Sequence, residues 1–207
     1  MSRHMIIYVH GFNSSPDSIK ARLLGQYLTA QHPDIDYRVP ALSHWPSEAV
    51  ASVEVLIEEV PDQKVTLVGS SLGGFYSIWL TERYKQCRAV LVNPAIYPHR
   101  LLADWLGENE NLYTHERYTL TPAHLHQLEA LALPCIKQHE RFLLLTQTAD
   151  ETLDYREGVE YLDGAEQFVQ RGGSHGFDRF EDLMPAIVAF GRGTVALPPA
   201  TELAASQ

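Results

Sequence analysis

Apolar residues in this chain follow two alternating rhythms. Short continuous runs, Met5 to Val9, Ile35 to Val39, Lys64 to Val68 and Arg88 to Val92, are rich in Ile, Leu and Val and bounded by polar turns. Such runs read as buried strands. Between them lie stretches whose apolar positions recur every three or four residues. Asp17 to Gln31, Pro46 to Glu59 (Val50, Val53, Leu56, Ile57, with Val60 just beyond) and Leu72 to Tyr84 read as helices, the second with Pro46 suited to its first turn.

The rhythm breaks from Ala95 to about Gln138, where prolines, an asparagine-rich turn (Gly107 to Asn111) and two short helical patterns, Leu101 to Leu106 and Thr121 to Leu131, intervene. It then resumes with strand Arg141 to Thr146, helix Asp154 to Tyr161, strand Glu166 to Gln170 and helix Asp178 to Phe190. Strands separated by helices predict an α/β fold, a mostly parallel sheet of about six strands with helices on both faces. The expected organisation is one domain over 1–192 with a cap-like insertion at about 95–138. Beyond it, 193–207, rich in Ala, Pro and polar residues, is expected to form a frayed tail.

The chain has 207 residues, 45% hydrophobic and 20% charged, as in ordinary globular proteins. A formal charge of −10 argues against nucleic acid as a partner, which calls for a basic face. No apolar run approaches the roughly 20 residues of a membrane span. The N-terminus lacks a signal-peptide pattern, and Met5 would serve as a start as well as Met1. With two cysteines, Cys87 and Cys135, the expectation is reduced thiols in a cytoplasmic protein.

In parallel sheets ligands bind beyond the carboxyl ends of the strands, so the residues following each strand carry the chemistry. After the third strand comes Gly69-Ser-Ser-Leu-Gly73, a Gly-x-Ser-x-Gly pattern suited to a strained strand-to-helix turn presenting Ser71; side chains at Gly69 or Gly73 would collide with neighbouring elements. After the first strand, His10-Gly-Phe-Asn-Ser-Ser-Pro16 offers the Phe12 amide, which with that of Leu72 would form an oxyanion hole; His10 is expected to be structural, and Asn13 or Ser15 to cap the next helix. Asp150 follows the fifth strand, with Glu151 and Asp154 as neighbouring alternatives, Asp154 more suited to capping. His175 lies in the glycine-rich loop after the sixth strand.

Ser71, Asp150 and His175 occur in the chain order of α/β-hydrolases. A serine hydroxyl is a poor nucleophile without a base, an imidazole can take its proton and return it, and a carboxylate can orient that imidazole. The chain here resembles the YqiA-type esterases of the α/β-hydrolase superfamily, from about Ile6 to Phe190. The resemblance rests on Tyr8-Val-His-Gly-Phe-Asn-Ser-Ser-Pro16, Leu67-Val-Gly-Ser-Ser-Leu-Gly-Gly74, Val92-Asn-Pro-Ala95, Gly107-Glu-Asn-Glu-Asn111, Gln147-Thr-Ala-Asp-Glu151, Leu153-Asp-Tyr-Arg156 and Gly172-Gly-Ser-His175. It implies hydrolysis of carboxylic esters, with acyl thioesters such as acyl-CoA also proposed as substrates, and the roles of nucleophile, acid and base for Ser71, Asp150 and His175. One departure is Ala149, where the family leads one to expect glycine.

In the insertion, Leu101, Leu102, Trp105, Leu106, Tyr113, Leu125, Leu128 and Leu131 could roof an acyl pocket or fill the core beneath it. His124 and His126, two apart on a helix, point different ways and make a poor chelate, and Gly69 to Gly74 lacks the Lys-Ser/Thr ending of a phosphate loop. Neither metal nor cofactor is expected. Competing readings are a peptidase using the same triad and a catalytically silent interaction module that keeps the fold.

Overall fold

The computed structural model describes residues 4–204. In chain order its elements are β1 (His4–Val9), α1 (Ile19–Gln31), β2 (Ile35–Arg38), α2 (Pro46–Glu58), β3 (Lys64–Ser70), α3 (Leu72–Arg83), β4 (Cys87–Val92), α4 (Pro98–Leu101), β5 (Gly107–Glu110), β6 (Arg117–Leu120), α5 (Pro122–Leu131), β7 (Phe142–Gln147), α6 (Tyr155–Tyr161), β8 (Glu166–Gln170) and α7 (Met184–Arg192). Six strands form one sheet in the order β2-β1-β3-β4-β7-β8, every pair parallel.

Alternation along the strands divides the core between the two faces. Met5, Ile7, Val9, Val65 and Leu67 pack with α2, α3 and α5, whereas Ile6, Tyr8 and Val68 pack with α1 and α7. The pairing also levels the strand ends. Val9 pairs with Gly69, Ser70 with Val92, Val92 with Leu145, and Gln147 with Gln170. The four loops that follow therefore emerge along one rim. β1 is flanked by β2 on one side and β3 on the other, so the chain reverses its direction of travel across the sheet at β1, the place where such sheets bind ligands.

Several boundaries differ from the sequence expectation for local reasons. The first helix begins at Ile19 rather than Asp17, because the Ser15 hydroxyl accepts the Asp17 amide in a turn (3.1 Å). The last starts as a 3₁₀ turn at Phe180–Leu183 and becomes α-helical at Met184, after Arg179 takes a left-handed conformation (φ 59°). Between β4 and β7, the pattern Leu101 to Leu106 resolves into α4 and a 3₁₀ turn, Leu102–Trp105. The expected asparagine-rich turn is instead a strand: Gly107–Glu110 pairs antiparallel with Arg117–Leu120.

From 194 to 204 the chain has no regular secondary structure, yet it folds back onto the end of β8. Leu203 N donates to Arg171 O (2.9 Å), Gly173 N to Ala204 O (3.2 Å), and Leu197 packs against the core. The remainder of the expected tail, 205–207, lies outside the described residues. Cys87 is buried and Cys135 exposed, both as free thiols. No helix among the described residues is long and apolar enough to cross a membrane.

Candidate active site

Ser71 stands between β3 and α3 with φ 53° and ψ −120°, a conformation costly for any residue with a side chain. Its neighbours hold it there. Ser71 N donates to Val92 O (3.1 Å), and Ser71 O accepts from Gly74 N (2.9 Å) and Ala95 N (3.0 Å). The flanking glycines are sterically required. A Cβ on Gly69 would lie 2.7 Å from Gly74 Cα, and one on Gly73 would lie 2.6 Å from His10 O and closer still to Val9 O. Leu72 opens α3, so its amide has no carbonyl one turn earlier in the helix. Gly11 is packed so closely that a Cβ there would sit 3.2 Å from Ser71 Cβ, and Phe12, the next residue, lines the same cavity as Ser71.

His175 Nδ1 lies 2.9 and 3.0 Å from the two Asp150 oxygens. The Asp150 side chain is 2% exposed, and its Oδ1 also accepts the amides of Thr152 and Leu153, both at 2.8 Å. These partners fix the imidazole as a donor at Nδ1, which leaves the Nε2 lone pair free. The two neighbouring acids are occupied otherwise. Glu151 Oε2 accepts the His175 backbone amide (2.9 Å), and Asp154 caps α6 by accepting Arg156 N (3.0 Å). Ser71 and His175 line the same cavity, although no hydrogen bond joins them among the described residues.

The loop carrying His175 rests on two buried amides that motif reasoning left without a role. Asn93 Nδ2 donates to Ser174 O (2.9 Å) and His175 O (3.1 Å), while its Oδ1 accepts from Gln147 N (3.0 Å). Gln147 Oε1 accepts from Ser174 N (3.0 Å) and Asp178 N (2.9 Å). The available sequence signal was position: each stands at or just past a strand's carboxyl end.

His10 is buried, with Nδ1 donating to Gly11 O (3.1 Å) and Nε2 accepting Leu42 N (3.3 Å). Burial lowers its pKa, keeping a neutral ring that ties two loops together. Of the proposed caps for α1, Ser15 takes the Asp17 amide, while Asn13 turns towards Asn109 and Tyr118. His124 is buried against Trp45 (ring centroids 3.6 Å apart). Its Nδ1 accepts Thr121 N, and its Nε2 lies 3.0 Å from His44 Nδ1.

A cavity of about 610 Å³ opens beside Ser71. Leu101, Leu102, Trp105 and Leu106 line it, and Tyr113 lines a second cavity. Leu128 is buried in the core, with Leu125 and Leu131 packed against it. The expected apolar set thus divides between pocket wall and core. Leu112, 75% exposed, also lines both cavities.

The all-parallel six-stranded sheet with a serine turn after β3 is the architecture of the α/β-hydrolase fold. The model of the family described as "Uncharacterised protein family (UPF0227)" matches residues 5–192, and the chain belongs to that family, the YqiA-type group anticipated from the sequence. It is 25% identical over 195 residues to a UPF0227 protein of Vibrio campbellii, covering 90% of this chain and 98% of the relative. Another, from Pectobacterium atrosepticum, is 25% identical over 166 residues, covering 76% and 82%. Among solved structures, Est1E of Butyrivibrio proteoclasticus superposes with a TM-score of 0.68 at 13% identity (91% and 86% covered). The mouse alpha/beta hydrolase domain-containing protein 10 gives 0.65 at 16% (91% and 88%).

Proposed function

We propose that this protein is a serine hydrolase of small carboxylic esters. The observation that carries the reading is the Asp150–His175 pair, set beside a cavity shared with a serine on a strained turn. Ser71 Oγ attacks the acyl carbon while His175 Nε2 takes its proton. The Phe12 and Leu72 amides stabilise the negative charge that develops on the carbonyl oxygen. As the intermediate collapses, the bond to the leaving oxygen breaks and His175 returns the proton to it. Water then repeats the sequence on the acyl-enzyme and frees Ser71. The separation of Ser71 from the ring is the usual condition of such pairs without substrate, the bond tightening on binding. The same steps cleave a thioester, with sulfur as the leaving atom.

No step calls for a cofactor, since the chain supplies every proton-transferring group. The segment over 95–138 acts as a cap, its aliphatic side chains taking the acyl group. The expected setting is the cytoplasm. The esterase name of Est1E, carried by a protein of the same fold, agrees with this reading.

A fluorophosphonate probe tests it. Intact protein is expected to label and the Ser71→Ala variant to stay unlabelled, with ester hydrolysis lost in parallel. Labelling that is absent from the intact protein, or unchanged in Ser71→Ala, would overturn the reading.

A further inference from the structure

Ser71 and His175 line a second cavity, about 400 Å³, distinct from the larger one under α4. The two differ in charge. The larger carries Asp104, Glu108 and Glu110 on its wall; Glu110 is paired with Arg117 (3.0 Å) and His115 (3.0 Å), whereas Asp104 and Glu108 have no cationic partner among the described residues. The smaller has an apolar floor, including Leu23, Phe177 and Phe180, and, among the described residues, one cation, Lys20 in the first turn of α1. Its one acidic lining residue, Glu181, is exposed.

Among the described residues Lys20 Nζ donates to a single acceptor, Gly176 O (2.9 Å), in the loop that carries His175, which leaves two of its three N–H groups without a partner there. Ser18, at the N-cap of the same helix, lines this cavity too. It is 9% exposed, and its hydroxyl faces the Tyr8 phenol without a hydrogen bond of ordinary geometry. The first amides of α1 likewise lack carbonyls within the helix, and the helix dipole favours negative charge there. An ammonium with donors to spare, in the first turn of a helix and on the wall of this cavity, is suited to an oxyanion.

We propose that this second cavity receives the leaving group, and that the substrates are esters whose leaving alcohol or phenol is compact and carries one carboxylate, bound by Lys20. The inference rests on the hydrolase reading above. The leaving oxygen must lie at the His175 ring to receive its proton, and the loop that presents the ring is the one Lys20 holds. The acyl half then occupies the larger cavity, whose acids repel an anion. Burial lowers the pKa of Lys20, while the charge of Asp150 opposes that shift and favours the ammonium.

Two matched esters test this: 3-carboxyphenyl butyrate and its neutral near-isostere, 3-carbamoylphenyl butyrate. Wild-type kcat/KM at pH 7.5 is expected to favour the carboxylate by roughly tenfold, the value of one charge-assisted hydrogen bond, mainly through KM. Lys20→Met should bring the ratio close to one, and Lys20→Arg should keep most of it. A residue that only braces the His175 loop would slow both esters together and leave the ratio unchanged. That result, or a wild-type ratio near one, overturns the proposal, as does a preference for a carboxylate placed on the acyl side. Binding of 3-hydroxybenzoate to Ser71→Ala, followed by NMR, separates the two readings. Binding that is lost when Lys20→Met is added supports the anion site even if neither ester is hydrolysed, in which case only the hydrolase reading falls. Hydrolysis of both esters without anion binding removes the site alone.

Discussion

Ser71 can adopt its strained backbone only because the residues around it have no room to let it relax. Gly73 is the tightest point, since a Cβ there meets the carbonyls of Val9, at the end of β1, and of His10 just beyond it, main-chain atoms that cannot move cheaply. Gly73→Ala is therefore expected to cost about 3 kcal/mol or to prevent folding, read as a lower urea midpoint or loss of soluble protein. An alanine variant of wild-type stability would mean that the turn is looser than described. Asn93 holds the loop that carries His175, and in the proposed mechanism it is a positioning residue. Asn93→Ala removes two donors from the loop carbonyls and is expected to lower kcat about a hundredfold, KM staying within about twofold. Unchanged kcat in the folded variant would remove Asn93 from this role. As candidates, Ser71, Asp150 and His175 stand out in the sequence because glycine spacing and strand ends mark their positions. Asn93 and Gln147 do not, since an amide's role depends on partners far away in the chain that no local pattern reveals.

At the scale of elements, apolar periodicity predicted every strand and major helix of the sheet and, between β4 and β7, the helix α5 (expected over Thr121 to Leu131), but missed the hairpin there. Gly107–Glu110 has four polar or small residues and no apolar alternation, so nothing local marks a strand. It pairs because the hairpin is anchored from outside: Asn111 Nδ2 donates to Ser14 O (2.8 Å), Leu112 N to Asn13 O (3.1 Å), and Tyr118 OH to Asn13 Oδ1 (2.6 Å). The loop after β1 and the hairpin thus form one unit above Ser71. Trp105 closes it, its ring edge-on to Phe12 at 5.9 Å and 54% exposed. Trp105→Ala should widen the larger cavity at little cost to folding. Expected is a gain of about three- to tenfold in the kcat/KM of an octanoyl ester relative to a butyryl ester, with Tm within about 2 °C of wild type. An unchanged ratio would place the acyl chain elsewhere.

For the whole molecule, the parallel sheet followed from the order of elements, whereas the return of 194–204 onto β8 did not, because it is held chiefly by backbone hydrogen bonds, with Leu197 as a single apolar anchor, and neither leaves a periodic side-chain pattern. Charge at buried histidines links this architecture to pH. His4, at the start of β1, bonds through Nε2 to Thr66 Oγ1 (2.8 Å), while its buried Nδ1 has no partner among the described residues. Burial first, then the charges of Arg192 and Lys64, hold its pKa at about 4, against the ordinary 6.5. Burial also lowers His10 and His124. With the folded pKa below the unfolded one, the unfolded chain binds more protons at intermediate pH. The His4 contribution is therefore complete above about pH 6.5, falls as pH drops, and levels off below about 4. After allowance for solvent screening, His4 alone should cost roughly 1–2 kcal/mol between pH 7.5 and pH 5. Urea unfolding of wild type and His4→Gln at both pH values isolates it, because every carboxylate titrates alike in the two proteins. The variant is expected to be less stable at pH 7.5 but to lose roughly 1–2 kcal/mol less on acidification. Equal losses in both would show that His4 is protonated as readily in the folded protein as in the unfolded chain.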